Sequence, residues 1–297
     1  MRAKSHDSLG RRNRIKAQST GKRIRLTERD LLWMQKIHEH GPLPSSYLIR
    51  YSKHLGTNKS RAQNRLTDLF NEDNNGYGKA VLTRPPQQFQ TIDARYNELV
   101  YGLSKAGERA LRDAGLWSDW VHKPGGPFWH QLMCAKITAG IELETRDRDD
   151  VNYIQGGRVL ERSQTKLRYP VTFKDPGTGR TVTKDLIPDQ IFGIEYVTDD
   201  GPRYRFYLVE ADRGTEPKTS GQDRKSLARM EAMYEVYIDH SRYKEHLGLK
   251  APMSVLVSNG MQSPEGHWGP RLFNLNASIP TTTDTVHRWN WLIDLLA

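Results

Sequence analysis

The chain has 297 residues, of which 36% are hydrophobic and 27% are charged, so it is long enough for two folded domains and global disorder is excluded. Its formal net charge of +10 is concentrated near the N-terminus. Residues 1–26 hold nine basic side chains and one acidic side chain, which gives this segment a net charge of +8. Cys134 is the single cysteine, which excludes an internal disulfide framework and a thiolate-rich zinc site.

Residues 1–26 form a basic arm with little apolar content. Such a segment buries too little surface to offset the entropy of ordering, so we expect it to be disordered alone and to pair with a polyanion. Nucleic acid is the expected partner, and a solubilising tail is the alternative. The candidate DNA contacts of the arm are Arg11, Arg12 and Arg14.

The sequence lacks the features of membrane insertion or secretion. No apolar stretch approaches the roughly 20 residues that span a bilayer. No apolar signal-peptide core follows the N-terminal charges. Together with the single cysteine, these features predict a cytoplasmic protein with no membrane partner.

Residues 27–115 predict a winged helix-turn-helix DNA-binding domain. Thr27 caps a first helix with acidic residues in its first turn, and Gly41 ends that helix. Three helices followed by a β-hairpin and a closing helix give the order of this motif. The predicted helices are 28–40, 47–53, 59–71 and 104–114, and the predicted extended segments are 80–84 and 97–103.

The third helix carries an apolar stripe and an opposite polar face. In a winged helix-turn-helix domain this helix enters the major groove. Arg61 or Arg65 can contact guanine in a bidentate manner, and Asn64 can contact adenine. The alternative is an ordinary solvated face. The candidate DNA-binding residues of the domain, including those expected at phosphates, are Lys59, Ser60, Arg61, Asn64, Arg65, Thr67, Arg84 and Arg95.

Residues 116–127 contain glycine and proline without periodicity and predict a linker to a second domain, residues 128–297. A helix, several strands, a long helix and another strand favour a mixed sheet flanked by helices, so the fold class of the chain is α+β. The predicted helices are 128–144, 222–248 and 287–296, and the predicted strands are 151–154, 158–160, 170–173, 186–196, 204–212 and 253–257.

Carboxylates lie at the ends of two apolar strands in this domain. Pro188-Asp189 borders one strand, and Glu210 and Asp212 lie on the next, where their spacing points both side chains to the same face. Hard oxygen ligands suit Mg²⁺, so the three carboxylates are a candidate magnesium site. A salt-bridged strand end is the alternative.

The element order, Pro188-Asp189 and Glu210-Ala-Asp212 resemble the core of PD-(D/E)xK nucleases. The resemblance implies that Asp189 and Glu210 hold Mg²⁺ and that a lysine two residues after the glutamate activates the attacking water. Asp212 occupies that lysine position, and Lys225 on the following helix is a candidate replacement. His130 is either a further residue of this site or an ordinary packing residue.

The chain resembles the replication-relaxation family of plasmid and mobile-element proteins over about residues 22–245. The resemblance rests on the winged helix-turn-helix domain, His130, Pro188-Asp189 and the string Glu210-Ala-Asp-Arg-Gly-Thr-Glu216. The resemblance implies a role in the replication, mobilisation or transcriptional regulation of a plasmid, phage or integrative element. The implied partners are double-stranded DNA, a second copy in a homodimer, and replication or transcription proteins of the element.

Two functions fit the sequence. The first is a sequence-specific DNA-binding protein whose degenerate nuclease-like domain serves assembly or extra DNA contact. The second is a Mg²⁺-dependent endonuclease or nickase that the winged module targets, with Asp189, Glu210, Asp212 and Lys225 as its catalytic residues. The aspartate at position 212 favours the first.

Overall fold

The computed structural model describes residues 14–56, 58–90, 94, 96–212, 226–262 and 268–274. Helices and strands are mixed along the chain, which confirms the α+β class. The chain divides into two units, residues 1–118 and 119–297, and each is described by itself. Within the described ranges, no helix combines the length and the apolar character needed to cross a bilayer.

The described part of the first unit contains four helices and a small antiparallel sheet with the strand order β1-β3-β2. Short 3-10 turns lie at Lys53–Leu55 and Pro86–Phe89. The two-residue strand β1 is absent from the sequence prediction. The elements in chain order are α1 (Glu28–His40), β1 (Leu43–Pro44), α2 (Ser45–Tyr51), α3 (Lys59–Asn71), β2 (Leu82–Thr83), β3 (Val100–Leu103) and α4 (Lys105–Asp113).

Helix α1 begins with a reciprocal capping box. The Thr27 hydroxyl accepts from the Asp30 amide, and the Asp30 carboxylate accepts from the Thr27 amide, so two donors at the start of the helix are satisfied. Trp33 and Met34 are fully buried. The apolar stripe of α3 is buried as its spacing predicts, and it comprises Ala62, Leu66, Leu69 and Phe70.

The second half of the basic arm makes defined contacts, where the sequence predicted disorder through residue 26. Residues 18–24 run along the C-terminal end of α3 and the turn after it. This end of α3 is acidic, so it offers carboxylates and carbonyls to the arm. The contacts, at 2.6–3.0 Å, join Gln18 to Asn71, Thr20 to Glu72, Lys22 to Asp68 and Ile24 to Asn74.

Two tryptophans of the predicted linker, residues 116–127, make packing contacts. Trp117 stacks on His38 of α1 with ring centroids 3.8 Å apart. Trp120 packs against the hydrophobic core of the second unit. The glycine and proline pattern predicted a loop. The large apolar rings of Trp117 and Trp120 explain why each of them packs within its own unit.

The second unit contains four helices and seven strands within the described residues. Five strands form one sheet, and β5 and β6 form a separate hairpin. The elements are α5 (Phe128–Thr145), β4 (Val151–Ile154), α6 (Gly156–Ser163), β5 (Tyr169–Lys174), β6 (Thr181–Leu186), β7 (Gln190–Tyr196), β8 (Arg203–Asp212), α7 (Leu227–Asp239), α8 (Arg242–Leu247), β9 (Met253–Gln262) and β10 (Trp268–Asn274).

The five-stranded sheet has the order β10-β9-β8-β7-β4. Strands β8 and β9 are parallel, and the other neighbours are antiparallel. Helix α5 packs on one face, where Val209 and Ala211 of β8 are buried. Helices α6 to α8 contribute to the core of the other face, where Leu208 is fully buried. Successive residues of β8 therefore serve two separate cores.

Three predictions for the second unit need correction. Residues 158–160 belong to helix α6, because a short apolar run does not distinguish strand from helix. The predicted strand 186–196 contains the end of β6 and all of β7. The predicted long helix divides into α7 and α8 at Ser241, whose φ of 53° is left-handed. The predicted helix 287–296 lies outside the described residues.

The start of α6 offers a test of the packing between this helix and β7. A Cβ atom added to Gly156 would lie 2.1 Å from the backbone oxygen of Ile191, whereas one added to Gly157 would lie 3.4 Å from its nearest neighbour. We expect Gly156→Ala to lower the free energy of unfolding by about 2 kcal/mol or more, because the helix must move away from the strand.

Gly157→Ala is the matched control, and we expect it to change stability by at most about 1 kcal/mol, in the favourable direction. Urea denaturation of both variants measures the difference. Equal unfolding free energies for the two variants would contradict the close approach of α6 to β7.

Candidate functional site

Helix α3 presents its N-terminal half at the surface of the first unit. The Asn58 side chain caps the helix by accepting from the Ser60 and Arg61 amides. Four of the predicted DNA-binding residues are exposed on this half, and Gln63 is exposed beside them. The four are Lys59, Ser60, Arg61 and Asn64.

The side of α3 nearest α1 is occupied by an ion pair. Arg65 donates to both carboxylate oxygens of Asp30, with its Nε at 3.0 Å from Oδ1, and it also bonds the Arg25 carbonyl. Asp30 is fully buried, and its hydrogen bond raises the pKa of Arg65. Arg65 therefore holds α3 against α1, which differs from the predicted role in reading guanine.

Arg84 is buried in the structure, where it makes contacts within the protein, and its contact with phosphate stays a prediction. It is 6% exposed, and its guanidinium lies 4.1 Å from the ring centroid of Phe70. It donates to the Tyr101 hydroxyl at 3.0 Å and to the Thr67 hydroxyl at 3.2 Å. Burial lowers the pKa of Arg84. The hydroxyl of Thr67, another predicted DNA contact, therefore accepts a hydrogen bond from Arg84.

A cleft of about 530 Å³ runs beside the exposed half of α3. Its basic lining consists of Lys59 and Arg14, and Arg14 also donates to the Asn97 carbonyl at 3.2 Å. Glu98 lines the same cleft and accepts from the hydroxyls of Ser45 and Ser46. The cleft extends the polar surface of α3 toward the segment before β3. Arg11, Arg12 and Arg95 lie outside the described residues.

Asp189 lies at the end of the five-stranded sheet, just before β7. Its amide bonds the Val209 carbonyl at 3.0 Å, and its Oδ2 accepts from the Ala211 amide at 2.8 Å. Its Oδ1 lies 2.9 Å from Nε2 of His130 on α5. The carboxylate is therefore held by strand β8 and helix α5, and it lies beside the stretch of β8 that contains Glu210.

Glu210 has a different partner on the opposite face of the sheet. It is 3% exposed and accepts from the hydroxyl of Tyr234 on α7 at 2.5 Å. Burial, and then the charge of Glu210, raise the pKa of Tyr234 well above its ordinary value, and Asp189 adds to this effect. Tyr234 thus stays protonated and donates to the buried carboxylate.

The structure describes only part of the predicted magnesium site. Lys225 and the side chain of Asp212 lie outside the described residues, although the backbone of Asp212 ends β8. Asp189 bonds the backbone of β8 next to Glu210. The side chain of Asp189 also bonds His130 of α5, whereas the side chain of Glu210 bonds Tyr234 of α7. Coordination of one cation by all three carboxylates stays a prediction.

The structure places two histidines, His122 and His130, near Asp189. His130 is paired with Asp189, where the sequence left open an ordinary packing role. His122 hydrogen-bonds the Pro188 backbone. Burial lowers the pKa of His122, and this hydrogen bond and the charge of Asp189 oppose that shift. His130 is followed one helical turn later by Cys134, a spacing that places both on one side of α5. No sequence signal singles out His122.

Tyr234 tests how far Glu210 depends on its buried donor. We expect Tyr234→Phe to lower the free energy of unfolding by about 1 to 3 kcal/mol, because a buried carboxylate loses a hydroxyl donor. The matched control is Tyr204→Phe, whose hydroxyl makes a solvent-exposed hydrogen bond to Glu195 at 2.8 Å and should contribute less than about 0.5 kcal/mol. Urea denaturation compares the two, and similar losses would contradict a special role for the buried pair.

Comparison with known proteins identifies a family. The model of the family described as replication-relaxation matches residues 34–251, which is well over half of the chain. The match includes α2 to α8 and both Asp189 and Glu210. No curated protein matches the sequence. The chain therefore belongs to the replication-relaxation family, which connects it with replication.

Proposed function

We propose that this chain is a sequence-specific double-stranded DNA-binding protein of a mobile element and acts in the replication, mobilisation or transcriptional regulation of that element. The exposed N-terminal half of α3 carries the proposal. Lys59, Ser60, Arg61 and Asn64 are exposed there, while the apolar stripe is buried and the arm contacts the C-terminal end. The family membership agrees with a replication-related role.

The element order supports a winged helix-turn-helix reading of the first unit. Helix α3 follows two helices and precedes the pair β2 and β3, so it holds the position of a recognition helix. Arginine and asparagine are the side chains that read guanine and adenine by paired hydrogen bonds. Arg61 and Asn64 are thus the base-reading candidates, and Lys59 and Ser60 are phosphate candidates.

The removal of Arg61 tests base readout. A preferred duplex is first selected from a random pool with the full chain. We expect Arg61→Ala to weaken binding to that duplex by about 5- to 150-fold, which corresponds to a loss of about 1 to 3 kcal/mol for a bidentate base contact. Binding to random duplex should fall much less. Fluorescence anisotropy at one fixed salt concentration measures both affinities, because affinity depends on salt.

Two controls make this test specific. Arg180→Ala removes the same charge from an exposed position in the second unit. Lys59→Ala should weaken both duplexes equally and reduce the salt dependence by about one counterion. Failure to select a preferred duplex, or equal effects of Arg61→Ala and Arg180→Ala, would reject sequence-specific binding through α3.

A Mg²⁺-dependent endonuclease is the second candidate, in keeping with a nuclease-like second unit. It is favoured by the position of Asp189 beside Val209 and Ala211, the two neighbours of Glu210. The helix, antiparallel strands β4, β7 and β8, helix and parallel strand β9 also agree with that scaffold. Asp212 in place of the motif lysine opposes it, since a lysine would assist the attacking water.

Plasmid cleavage separates the two candidates. We expect supercoiled plasmid to remain intact with the protein and Mg²⁺ or Mn²⁺, because the lysine of the motif is replaced by Asp212. Agarose electrophoresis resolves nicked and linear products. Cleavage by the wild-type chain that Asp189→Ala abolishes would instead establish the endonuclease. Cleavage that Asp189→Ala leaves unchanged would indicate contamination.

A further inference from the structure

We propose that His130, Cys134 and Asp189 bind one divalent transition-metal ion of the Zn²⁺ type. A ligand atom from each residue lies within 4.8 Å of the other two. His130 Nε2 is 2.9 Å from Asp189 Oδ1 and 3.7 Å from Cys134 Sγ. This site shares Asp189 with the predicted three-carboxylate Mg²⁺ site but takes its other ligands from α5, and it does not depend on DNA binding.

The convergence of both partners on one nitrogen indicates a common centre. In a nucleophile–histidine–acid relay, the acid bonds one imidazole nitrogen and the nucleophile bonds the other. Here Asp189 and Cys134 both approach Nε2 of His130. A proton relay through the ring is therefore not available to this arrangement, whereas a metal ion needs all its ligand atoms to surround one point.

The distances suit a small tetrahedral ion. Zinc lies about 2.0–2.1 Å from histidine nitrogen, about 2.0–2.2 Å from carboxylate oxygen and about 2.3 Å from cysteine sulfur, so its ligand atoms lie about 3.3 to 3.6 Å apart. The two distances from Nε2 differ from these separations by a few tenths of an ångström. Three protein ligands leave a fourth position for water or another ligand.

The chemistry of the donors selects the class of ion. A nitrogen, a sulfur and an oxygen donor form a borderline-soft set that suits Zn²⁺ or Co²⁺, whereas Mg²⁺ prefers an all-oxygen octahedron. His130 and Asp189 keep 17% and 12% of their side-chain surfaces exposed, so an ion can enter from solvent. Cys134 is fully buried and closes the inner side of the site.

The ligands are held by the surrounding structure. His130 and Cys134 are one turn apart on α5 and move as one body. The second oxygen of Asp189 accepts from the Ala211 amide, which orients the carboxylate. Gly126 packs against the imidazole, since a Cβ added there would lie 3.2 Å from His130 Cδ2. The ion thus joins the start of α5 to the end of the sheet.

Metal binding is tested with the full chain without a histidine tag, stripped with a chelator and then equilibrated with Zn²⁺ or Co²⁺. We expect one ion per chain by elemental mass spectrometry after removal of free metal. The Co²⁺ form should show thiolate-to-cobalt charge-transfer absorption in the near ultraviolet. Because Cys134 is the single cysteine, that absorption reports directly on its coordination.

Ligand variants decide the assignment. Cys134→Ser should abolish the charge-transfer absorption, and His130→Ala and Asp189→Asn should each weaken Zn²⁺ binding at least about tenfold, the loss that even outer partners of metal ligands produce. His54→Ala, a histidine exposed in the first unit, should bind like wild type. Circular dichroism verifies the fold of each variant, and Asp189→Asn decides if Cys134→Ser does not fold.

The proposal fails if the wild-type chain retains no stoichiometric metal, or if folded ligand variants retain wild-type affinity. These outcomes are separable from the proposed DNA-binding function. Loss of preferred-duplex binding in Arg61→Ala leaves the metal stoichiometry unchanged, and a metal-free wild-type chain that still selects a duplex overturns only the metal site.

Discussion

One buried carboxylate, Asp30, determines which side of α3 faces outward. It accepts from the Thr27 amide at the start of α1 and from the guanidinium of Arg65 on α3. Removing one partner of such a buried pair typically costs about 3 to 5 kcal/mol, less when the other partner is partly exposed as Arg65 is. Rotation of α3 would break this pair and also withdraw its apolar stripe from the core. The exposed position of Arg61 and Asn64 is therefore a consequence of contacts on the opposite sides of the helix.

The contact of the arm with α3 limits the basic surface in a second way. Asp68 and Glu72 would repel a polyanion at the C-terminal end of the helix, but Lys22 and Thr20 bond to them. The arm thereby neutralises one acidic group and satisfies another, at the end of α3 farthest from Lys59. The positive charge of Lys22 is thus paired with Asp68 within the protein. The net charge of residues 1–26 is therefore larger than the charge that the arm can offer to phosphates.

Local signals in the sequence predicted α1 and α3 to the residue, because both have capping side chains and a helical apolar period. The same reasoning failed at residues 158–160, where Val159 and Leu160 are too short a run to define a period. Arg84 shows the limit for the site, since only the tertiary structure brings its charge between Phe70 and Tyr101. The pairing of His130 with Asp189 spans 59 residues and likewise requires the assembled sheet.

The chemistry of the sheet end depends on how its negative charges are stabilised. Neighbouring carboxylates repel each other, and Asp212 adds a further acidic residue to the chain at the end of β8. Glu210 is stabilised by Tyr234 on one face, and Asp189 by the Ala211 amide and His130. Each carboxylate thus has its own donors, whereas a nuclease centre requires both to bind the same hard cation. An ion shared by His130, Cys134 and Asp189 needs neither Glu210 nor a lysine. In the proposed metal site, such an ion adds positive charge beside these carboxylates.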